Sequence, residues 1–396
     1  MTFRDAAAAL LPDLVGLRRE FHQMPEVGLF CTDTQARILA ALDGLGLEVS
    51  QGQQCSSVTA VLRGSRPGPA VLLRGDMDGL PIVEETGLDY ASGRGTMHAC
   101  GHDLHVTGLI GAARLLAARR EELAGSVIFM FQPGEEGFGG ARVMLQEGVL
   151  EAAGVPVIAA YAIHVMTGIN GEFSTRAGSL MAGANELDIT VRGAGGHGSA
   201  PHTTLDPVPP LLEIGTALQT MVTRRFNVAD PVVLTVTRLA AGQARNVIPS
   251  QASLGATVRT LSAEATALFA TETERLAAGI AAAHGCTAEV DFGVDYPVTV
   301  NDPSEAARTI QVLADVFGED RVLTLPAPMM GSEDFSYVLE RVPGCFVFLG
   351  ATPVGLDPQS QPWNHAPGVV FDDGVLADQA AALAELAQRR LAADSA

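Results

Sequence analysis

The chain of 396 residues is longer than one hydrophobic core ordinarily organises, which predicts two domains. Hydrophobic residues make up 47% of the chain and charged residues 18%, a composition that excludes an intrinsically disordered protein. A formal net charge of −20 argues against a nucleic-acid partner, because phosphate binding depends on clustered cations. The N-terminus has no signal-peptide layout, and polar residues interrupt every apolar run before the ~18 residues of a membrane span. We therefore expect a cytoplasmic protein with no membrane partner, whose five scattered cysteines are reduced thiols.

The first 182 residues alternate helical and strand-like patterns, which predicts an α/β sheet. The predicted helices span residues 10–24, 34–46 and 104–123, and the predicted strands span residues 71–73, 126–131 and 155–163. Polar residues follow each of these strands. Because ligands of α/β sheets gather beyond the carboxyl ends of the strands, we expect the functional side chains there.

The pattern changes near Ala182, which predicts a second domain. Strands are predicted over 186–192, 231–239, 252–260 and 287–293, and helices over 207–224 and 263–283. This βαββαβ order is typical of a ferredoxin-like sandwich. The α/β pattern resumes afterwards, with a strand over 345–349 and a final helix over 375–392. The sequence therefore predicts a larger domain made of residues 1–182 and 297–396, into which residues 183–296 are inserted.

Metal-ligand side chains occur beside glycine turns and apolar runs at several positions of the larger domain. They are Cys100, His102, Glu135, Glu136, His164 and His365. Adjacent carboxylates diverge, so one glutamate of the pair could bind a metal while the other moves protons. If this set converges in space, the protein is a metal-dependent hydrolase.

Each of these positions also has a simpler interpretation when it is taken alone. A thiol such as Cys100 packs readily as a small hydrophobe, and a glutamate pair at a strand end usually faces solvent. His164 and His365 could be ordinary structural histidines. Asp78 could form a turn in its Asp-Met-Asp-Gly segment, or it could orient a metal-bound histidine.

The inserted domain offers three further candidates. His197 lies in a glycine-rich loop that could be a simple connection, and Asn246 precedes an apolar Val-Ile-Pro segment. Arg259 could bind a substrate carboxylate through its fork geometry. Taken alone, it is better explained by a surface ion pair.

The order of the motifs is more specific than any one of them. The segments are Arg74-Gly-Asp-Met-Asp-Gly-Leu-Pro81, Met97-His-Ala-Cys-Gly-His-Asp103, Gln132-Pro-Gly-Glu-Glu136, Gly196-His197, Asn246-Val-Ile-Pro249, Gly331-Ser-Glu-Asp-Phe335 and His365-Ala-Pro. In this order they resemble the M20 metallopeptidase family along nearly the whole chain. The resemblance is strongest to the amidohydrolase branch that contains hippurate hydrolases, N-acyl-amino-acid amidohydrolases and plant auxin-conjugate hydrolases.

The resemblance implies a role for each candidate. Cys100 takes the metal-bridging place that an aspartate holds in other branches, and Glu135 is the general base. The remaining metal ligands are His102, Glu136, His164 and His365. Asp78 matches an aspartate that supports a metal ligand, and Asp76 stands where many relatives outside this branch have a metal-binding histidine, so it is not counted as a ligand. His197 matches a lid histidine that reaches the partner subunit's active site, while Asn246 and Arg259 match substrate-contacting positions.

The family also implies fold, cofactors and partners. We expect an α/β, mixed-sheet, zinc-peptidase-like catalytic domain with an inserted ferredoxin-like α+β lid and dimerisation domain. Two divalent ions are expected for each subunit, Zn²⁺ or Mn²⁺ with Co²⁺ and Ni²⁺ as further candidates, in a homodimer or a tetramer. The expected reaction is cleavage of small N-acyl amino acids, with an acetyl or aromatic acyl group as in hippurate, by water activated at the metals. The alternatives are a carboxypeptidase or dipeptidase of the same family and a non-catalytic metal-binding relative.

Overall fold

The computed structural model describes residues 1–393. Their helices are α1 (Phe3–His22), α2 (Thr32–Leu42), α3 (His102–Ala117), α4 (Gly140–Gln146), α5 (Val208–Arg225), α6 (Ala263–Ala283), α7 (Pro303–Phe317), α8 (Ser336–Leu339) and α9 (Val375–Ala393). Their strands are β1 (Glu48–Gln51), β2 (Val58–Arg63), β3 (Arg66–Asp76), β4 (Ala124–Gln132), β5 (Val157–Met166), β6 (Phe173–Thr175), β7 (Gly178–Met181), β8 (Gly183–Arg192), β9 (Gly196–His197), β10 (Val233–Ala241), β11 (Val247–Ile248), β12 (Gln251–Thr260), β13 (Thr287–Tyr296), β14 (Thr299–Asn301), β15 (Val322–Thr324) and β16 (Gly344–Gly350).

The chain divides into two compact units. Unit 1 contains residues 1–180, 300–327 and 334–396, and unit 2 contains residues 181–299 and 328–333. The short segment 328–333 was predicted to lie in the larger domain, because nothing in its composition distinguishes it from its neighbours.

An eight-stranded sheet organises unit 1, with the strand order β1-β2-β4-β3-β5-β16-β6-β15. Strand β3 runs parallel to β4 and β5, and β16 runs parallel to β5. The β1–β2 and β2–β4 pairs are antiparallel. This arrangement confirms the predicted α/β class with a mixed sheet. The central strands are buried almost throughout, because helices cover them.

Helix α3 is the central helix of unit 1 and packs against α1 and α9. It carries small residues where α9 approaches most closely. A Cβ atom added at Gly111 would lie 2.7 Å from the Cβ atom of Ala380, so a larger residue there would push the two helices apart. This packing fixes the position of the first turn of α3, which begins at His102.

Unit 2 has a four-stranded antiparallel sheet in the order β10-β12-β8-β13. With helices α5 and α6 in the connections, this is the strand order of a ferredoxin-like sandwich. Its core lies between the sheet and the two helices and includes Leu187, Ile189, Leu218, Leu254 and Phe269. The alternating burial of β8 agrees with a sheet that has one covered face.

Several helices differ from the sequence prediction: α2 and α3 end earlier than predicted, and the short helices α4 and α8 were not predicted. Two further differences, in α1 and α7, have recognisable local causes. Helix α1 begins at Phe3 rather than residue 10, because Thr2 and Asp5 form a capping box that satisfies free amides of the first turn. Helix α7 was not predicted. Its signals were Asp302, which caps the amides of Ser304 and Glu305, and a proline in the first helical position.

Within residues 1–393, no helix combines the length and the apolar character needed to cross a membrane.

Candidate metal centre

The candidate residues of unit 1 lie at the carboxyl edge of its sheet. His164 is near the end of β5, Glu135 and Glu136 follow the end of β4, and Cys100 lies two residues before the start of α3. Gly101 allows the chain to enter α3 because its φ of +83° belongs to the left-handed region. The sheet topology therefore collects residues that are far apart in sequence.

Two groups of potential ligand atoms share the thiol of Cys100. The first group is Cys100, His102 and His164, and the second is Cys100, Glu136 and His365; within each group the atoms lie within 4.8 Å of one another. The Cys100 Sγ atom is 3.4 Å from His164 Nε2 and 3.1 Å from His365 Nε2. These groups contain all five predicted ligands, with the predicted bridging residue common to both.

The ring nitrogens of His164 have distinct roles. Its Nδ1 atom is 2.7 Å from the carbonyl oxygen of Val165, which can only accept, so Nδ1 carries the proton. Nε2 is then the atom with the free lone pair, and it faces Cys100. A backbone carbonyl that fixes the tautomer of a histidine in this way is typical of metal ligands.

Asp78 connects the glutamate pair to His102. Its two carboxylate oxygens accept hydrogen bonds from the backbone amides of Glu135 (3.0 Å) and Glu136 (3.1 Å). One of these oxygens is also 3.5 Å from His102 Nδ1. Asp78 is 1% exposed, so this carboxylate is a buried support for both segments.

The residues fit divalent cations on two independent observations. Among the described residues, neither ring nitrogen of His102 has a hydrogen-bond partner, although both atoms are buried. Buried polar atoms normally have a partner, so these nitrogens are suited to ligation of a bound cation. Imidazole, thiolate and carboxylate are together the ligand set of zinc and similar metals.

The electrostatics of the site favour positive charge. Burial alone would lower the pKa of His102, but the carboxylates of Asp76 and Asp78 and the thiol of Cys100 raise this pKa well above its usual value. Hydrogen bonds to Cys100 and Glu136 raise the pKa of His365 to about 10. The chain has therefore concentrated negative charge where a cation would bind.

The loop that carries His365 is held in an unusual conformation. His365 has a φ of +71° and is half exposed, and its amide donates to the carbonyl oxygen of Ala99. The neighbouring Asn364 donates to the carbonyl oxygen of Val165 and accepts from the amide of Thr167. The left-handed conformation is unfavourable for a residue other than glycine. Such strained backbone conformations are common at functional sites.

The first turn of α3 is anchored to α1 by buried charges. Asp103, which follows His102, accepts from Arg18 Nε at 2.7 Å and contacts His22 Nδ1 at 2.7 Å. Both partners are almost completely buried. This ion pair restricts the movement of the helix turn that carries His102.

The loop with Glu135 and Glu136 is tied to Asp334 at both ends. Gln132 donates to Asp334 at 2.7 Å before the loop, and the amide of Ala141 donates to it at 2.9 Å after the loop. Gly140 closes the loop so tightly that an added Cβ atom would lie 1.7 Å from the carbonyl oxygen of Pro133. Position 140 therefore cannot carry a side chain without moving the backbone near Glu135.

Replacing Gly140 with alanine is expected to lower the free energy of unfolding by about 1–3 kcal/mol and to weaken metal binding. The matched control is Gly16→Ala in α1, where no heavy atom of the described residues, apart from the adjacent residues and the backbone of the same helix, lies within 4 Å of the new Cβ atom. Alanine there is expected to raise the free energy of unfolding by about 0.5–1 kcal/mol. Urea unfolding measures both changes, and a Gly140→Ala protein as stable as the wild type would contradict the steric argument.

Unit 2 contains the three remaining candidates, and two of them are adjacent. His197 on β9 pairs with Val247 on β11, and the amide of Gly198 donates to the carbonyl oxygen of Asn246. The amide of Ser199 donates to His197 Nδ1, so the proton of a neutral His197 is on Nε2. Arg259 lies on β12 and donates to the Ser332 hydroxyl at 3.0 Å.

Comparisons with known proteins identify the family of the chain. A model of the peptidase family M20/M25/M40 matches residues 72–389. Thermostable carboxypeptidase 1 of Saccharolobus solfataricus is 36% identical over 343 residues, which cover 85% of each chain. N-acetylcysteine deacetylase of Bacillus subtilis is 36% identical over 377 residues, which cover 94% of this chain and 96% of that protein. A solved Bacillus subtilis structure, described as a dinuclear metal binding peptidase from the M20 family, superposes with a TM-score of 0.84 at 33% identity, covering 97% of this chain and 99% of that one.

The chain therefore belongs to the peptidase family M20/M25/M40. It is an enzyme, a metal-dependent amidohydrolase, as the order of its motifs predicted.

The sequence analysis did not identify one group of buried residues beside the centre. Asp76 was noted only as a position that does not bind metal, and Arg74 and His105 were given no role. In the structure Asp76 Oδ1 is 2.5 Å from His105 Nδ1, and Arg74 donates to Asp76 Oδ2 at 2.6 Å. The available signal was the spacing of His102 and His105, which places both on one face of a helix.

Proposed function

We propose that the enzyme hydrolyses the amide bond of N-acyl amino acids, giving a carboxylic acid and a free amino acid. The observation that carries this proposal is the pair of ligand groups that share Cys100, beside Glu135. Cys100, His102, Glu136, His164 and His365 would hold two divalent cations, of which Zn²⁺ and Mn²⁺ are the first candidates and Co²⁺ and Ni²⁺ the next. Bound there, such cations supply Lewis acidity, which makes water more acidic and the amide carbonyl more electrophilic.

Glu135 is proposed as the general base. Its side chain is 6% exposed and offers a carboxylate oxygen within 4.8 Å of ligand atoms of Glu136 and His102, but Glu135 belongs to neither of the groups that share Cys100. Its carboxylate would take a proton from the attacking water and later deliver that proton to the departing amine. Asp78 would hold the backbone of Glu135 in place through the amide hydrogen bond described above.

His197, Asn246 and Arg259 are proposed to contact the substrate. A neutral His197 carries its proton on Nε2, which suits a donor to the oxyanion that forms from the amide carbonyl. Arg259 would bind the carboxylate of the amino-acid portion through its guanidinium fork. Asn246 would contact the amide region, close to His197 on the β9–β11 ladder.

We further propose that His197 acts on the active site of a partner subunit in a homodimer formed through unit 2. His197→Ala and Glu135→Ala proteins are each expected to be inactive. If subunits exchange after mixing, each mixed dimer combines the intact Glu135 of one subunit with the intact His197 of the other. One of its two sites is then complete, so part of the activity should return. Exchange is verified with two differently labelled subunits, and exchanged dimers that stay inactive would count against the role in trans.

A second candidate function is a carboxypeptidase or dipeptidase that uses the same metal centre. The observation that favours it is the similarity to thermostable carboxypeptidase 1. This chain is 36% identical to that protein and 36% identical to N-acetylcysteine deacetylase. The two functions differ in the group on the acyl side of the bond, which is an acetyl or aromatic acyl group in one case and an amino acid in the other.

The deciding experiment is an activity screen of the metal-free protein after reconstitution with each of the four metals. N-acetyl amino acids, hippurate and dipeptides are compared at equal concentrations by release of the free amino acid. The proposal expects metal-dependent hydrolysis with the highest kcat/KM for an N-acyl amino acid. Faster hydrolysis of dipeptides would favour the second candidate, and inactivity of the metal-loaded protein on all of these substrates would contradict both candidates.

A further inference from the structure

His105 has hydrogen-bond roles that are fixed on both sides of its ring. The backbone amide of Val165 donates to Nε2 at 2.8 Å, so Nε2 carries no proton. The proton of the neutral ring is therefore on Nδ1, which lies 2.5 Å from Asp76 Oδ1. Both residues are buried, with His105 2% exposed and Asp76 fully enclosed. This ring cannot turn over without breaking both contacts.

The contact between His105 and Val165 lies beyond the point at which β3 stops pairing with β5. Strand β3 pairs with β5 as far as Arg74 and Ala162, whereas β5 continues to Met166. His105 supplies an acceptor for the Val165 amide beyond the last paired residue of β3. At the end of β5, the His105 side chain therefore accepts a backbone hydrogen bond of the kind that a neighbouring strand accepts elsewhere in the sheet.

Val165 is directly connected to the centre through its other backbone group. Its carbonyl oxygen is the partner of His164 Nδ1 at 2.7 Å, which leaves the lone pair of His164 Nε2 facing Cys100. The hydrogen bond from the Val165 amide to His105 therefore helps to fix the Val165 carbonyl group and, through it, the orientation of the His164 ring. The chain of contacts runs from Arg74 through Asp76, His105 and Val165 to His164.

Asp76, His102 and His105 also lie close enough together to resemble a further metal group. The contacts of His105 argue against that reading. Both of its ring nitrogens are occupied, by Asp76 and by the Val165 amide, and the second oxygen of Asp76 accepts from Arg74 at 2.6 Å. A metal would have to displace these hydrogen bonds, so the group is better described as a buried support.

We propose that His105, oriented by Asp76, is a positioning residue that fixes the end of β5 and with it the lone pair of His164 for metal binding. The proposal rests on the assignment of His164 as a metal ligand under the proposed function. Residues that orient metal ligands commonly change metal affinity by about 10- to 100-fold when they are replaced. An effect of that size is expected here.

Two conservative variants separate the two hydrogen bonds of His105. In His105→Gln, the amide oxygen can take the place of Nε2 and accept from Val165. In His105→Asn, the shorter amide can still donate to Asp76 but cannot reach Val165. We expect His105→Asn to weaken Co²⁺ binding by about 10- to 100-fold and to alter the visible absorption of the Co²⁺ protein, whereas His105→Gln restores most of both properties.

Tyr161→Phe is the matched control because it removes a buried hydrogen bond from the same strand, to Glu305, away from the strand end. It is expected to lower the melting temperature while leaving Co²⁺ affinity and absorption unchanged. Wild-type affinity and absorption in His105→Asn would overturn the proposal, as would equal defects in His105→Asn and His105→Gln. These readouts need no substrate, so they remain decisive if the enzyme proves inactive on N-acyl amino acids.

A measurement on the unaltered protein covers the case in which the variants do not fold. Nitrogen-15 NMR of protein with labelled histidine distinguishes the two neutral tautomers. The proposal predicts the Nδ1-protonated tautomer for His105, and the Nε2-protonated tautomer or the doubly protonated ring would overturn it.

Discussion

Replacing Glu135 with glutamine is expected to lower kcat by about 10²- to 10⁴-fold while the protein keeps two metal ions per subunit. Glutamine has nearly the size and shape of glutamate, but its neutral amide cannot accept the proton of the attacking water. The backbone amide of residue 135 can still donate to Asp78, so the loop should keep its position. The loss should therefore appear in kcat far more than in KM or in metal content.

Two controls make the Glu135→Gln result specific. Glu121→Gln replaces an exposed glutamate of the same unit and should leave both kcat and metal content unchanged. Glu136→Gln, by contrast, should lose metal, because Glu136 belongs to the group with Cys100 and His365. A Glu135→Gln protein with normal kcat would disprove the general-base assignment, and one without metal would move Glu135 into the ligand set.

Replacing Cys100 with alanine is expected to weaken the binding of both metal ions together, each by more than about 100-fold, and to abolish turnover. The thiol is common to both ligand groups, so its removal takes one ligand from each ion. Cys100→Asp should retain both ions, because a carboxylate can also bridge two cations. Metal content after dialysis, measured by inductively coupled plasma mass spectrometry, distinguishes these outcomes.

Cys345→Ala is the control for the loss of a buried thiol. Cys345 is fully buried in β16 and contacts the Thr175 hydroxyl, but it belongs to neither ligand group. It should lower stability without changing metal content. Loss of only one ion from Cys100→Ala would contradict a shared ligand, since the second site would then be complete without the thiol.

The chemistry of unit 1 could be predicted from the sequence to a large extent because its residues follow ordered motifs. Each motif lies beside the end of a strand or the start of a helix, and the carboxyl edge of a sheet brings such ends together. The five predicted ligands accordingly fall into two groups that share Cys100. Their roles remain a proposal that the variants above will test.

The supporting contacts could not be predicted because they depend on three-dimensional details that spacing does not encode. The role of His105 follows from the point at which β3 stops pairing with β5, and a sequence does not define strand pairing. The link from Asp334 to Gln132 joins positions 202 residues apart. Helix α7 was not predicted, although its Asp302-Pro303 start is a recognisable helix signal.

The most direct test of the binuclear centre is anomalous X-ray diffraction from crystals of the protein saturated with Zn²⁺. The proposed centre predicts two anomalous peaks in unit 1, separated by the about 3.5–4 Å that is usual in two-metal sites. The Cys100 Sγ atom should lie between them, about 2.3 Å from each ion. A single peak at saturating Zn²⁺, or two peaks of which only one is bonded to Cys100, would contradict a metal centre bridged by this thiol.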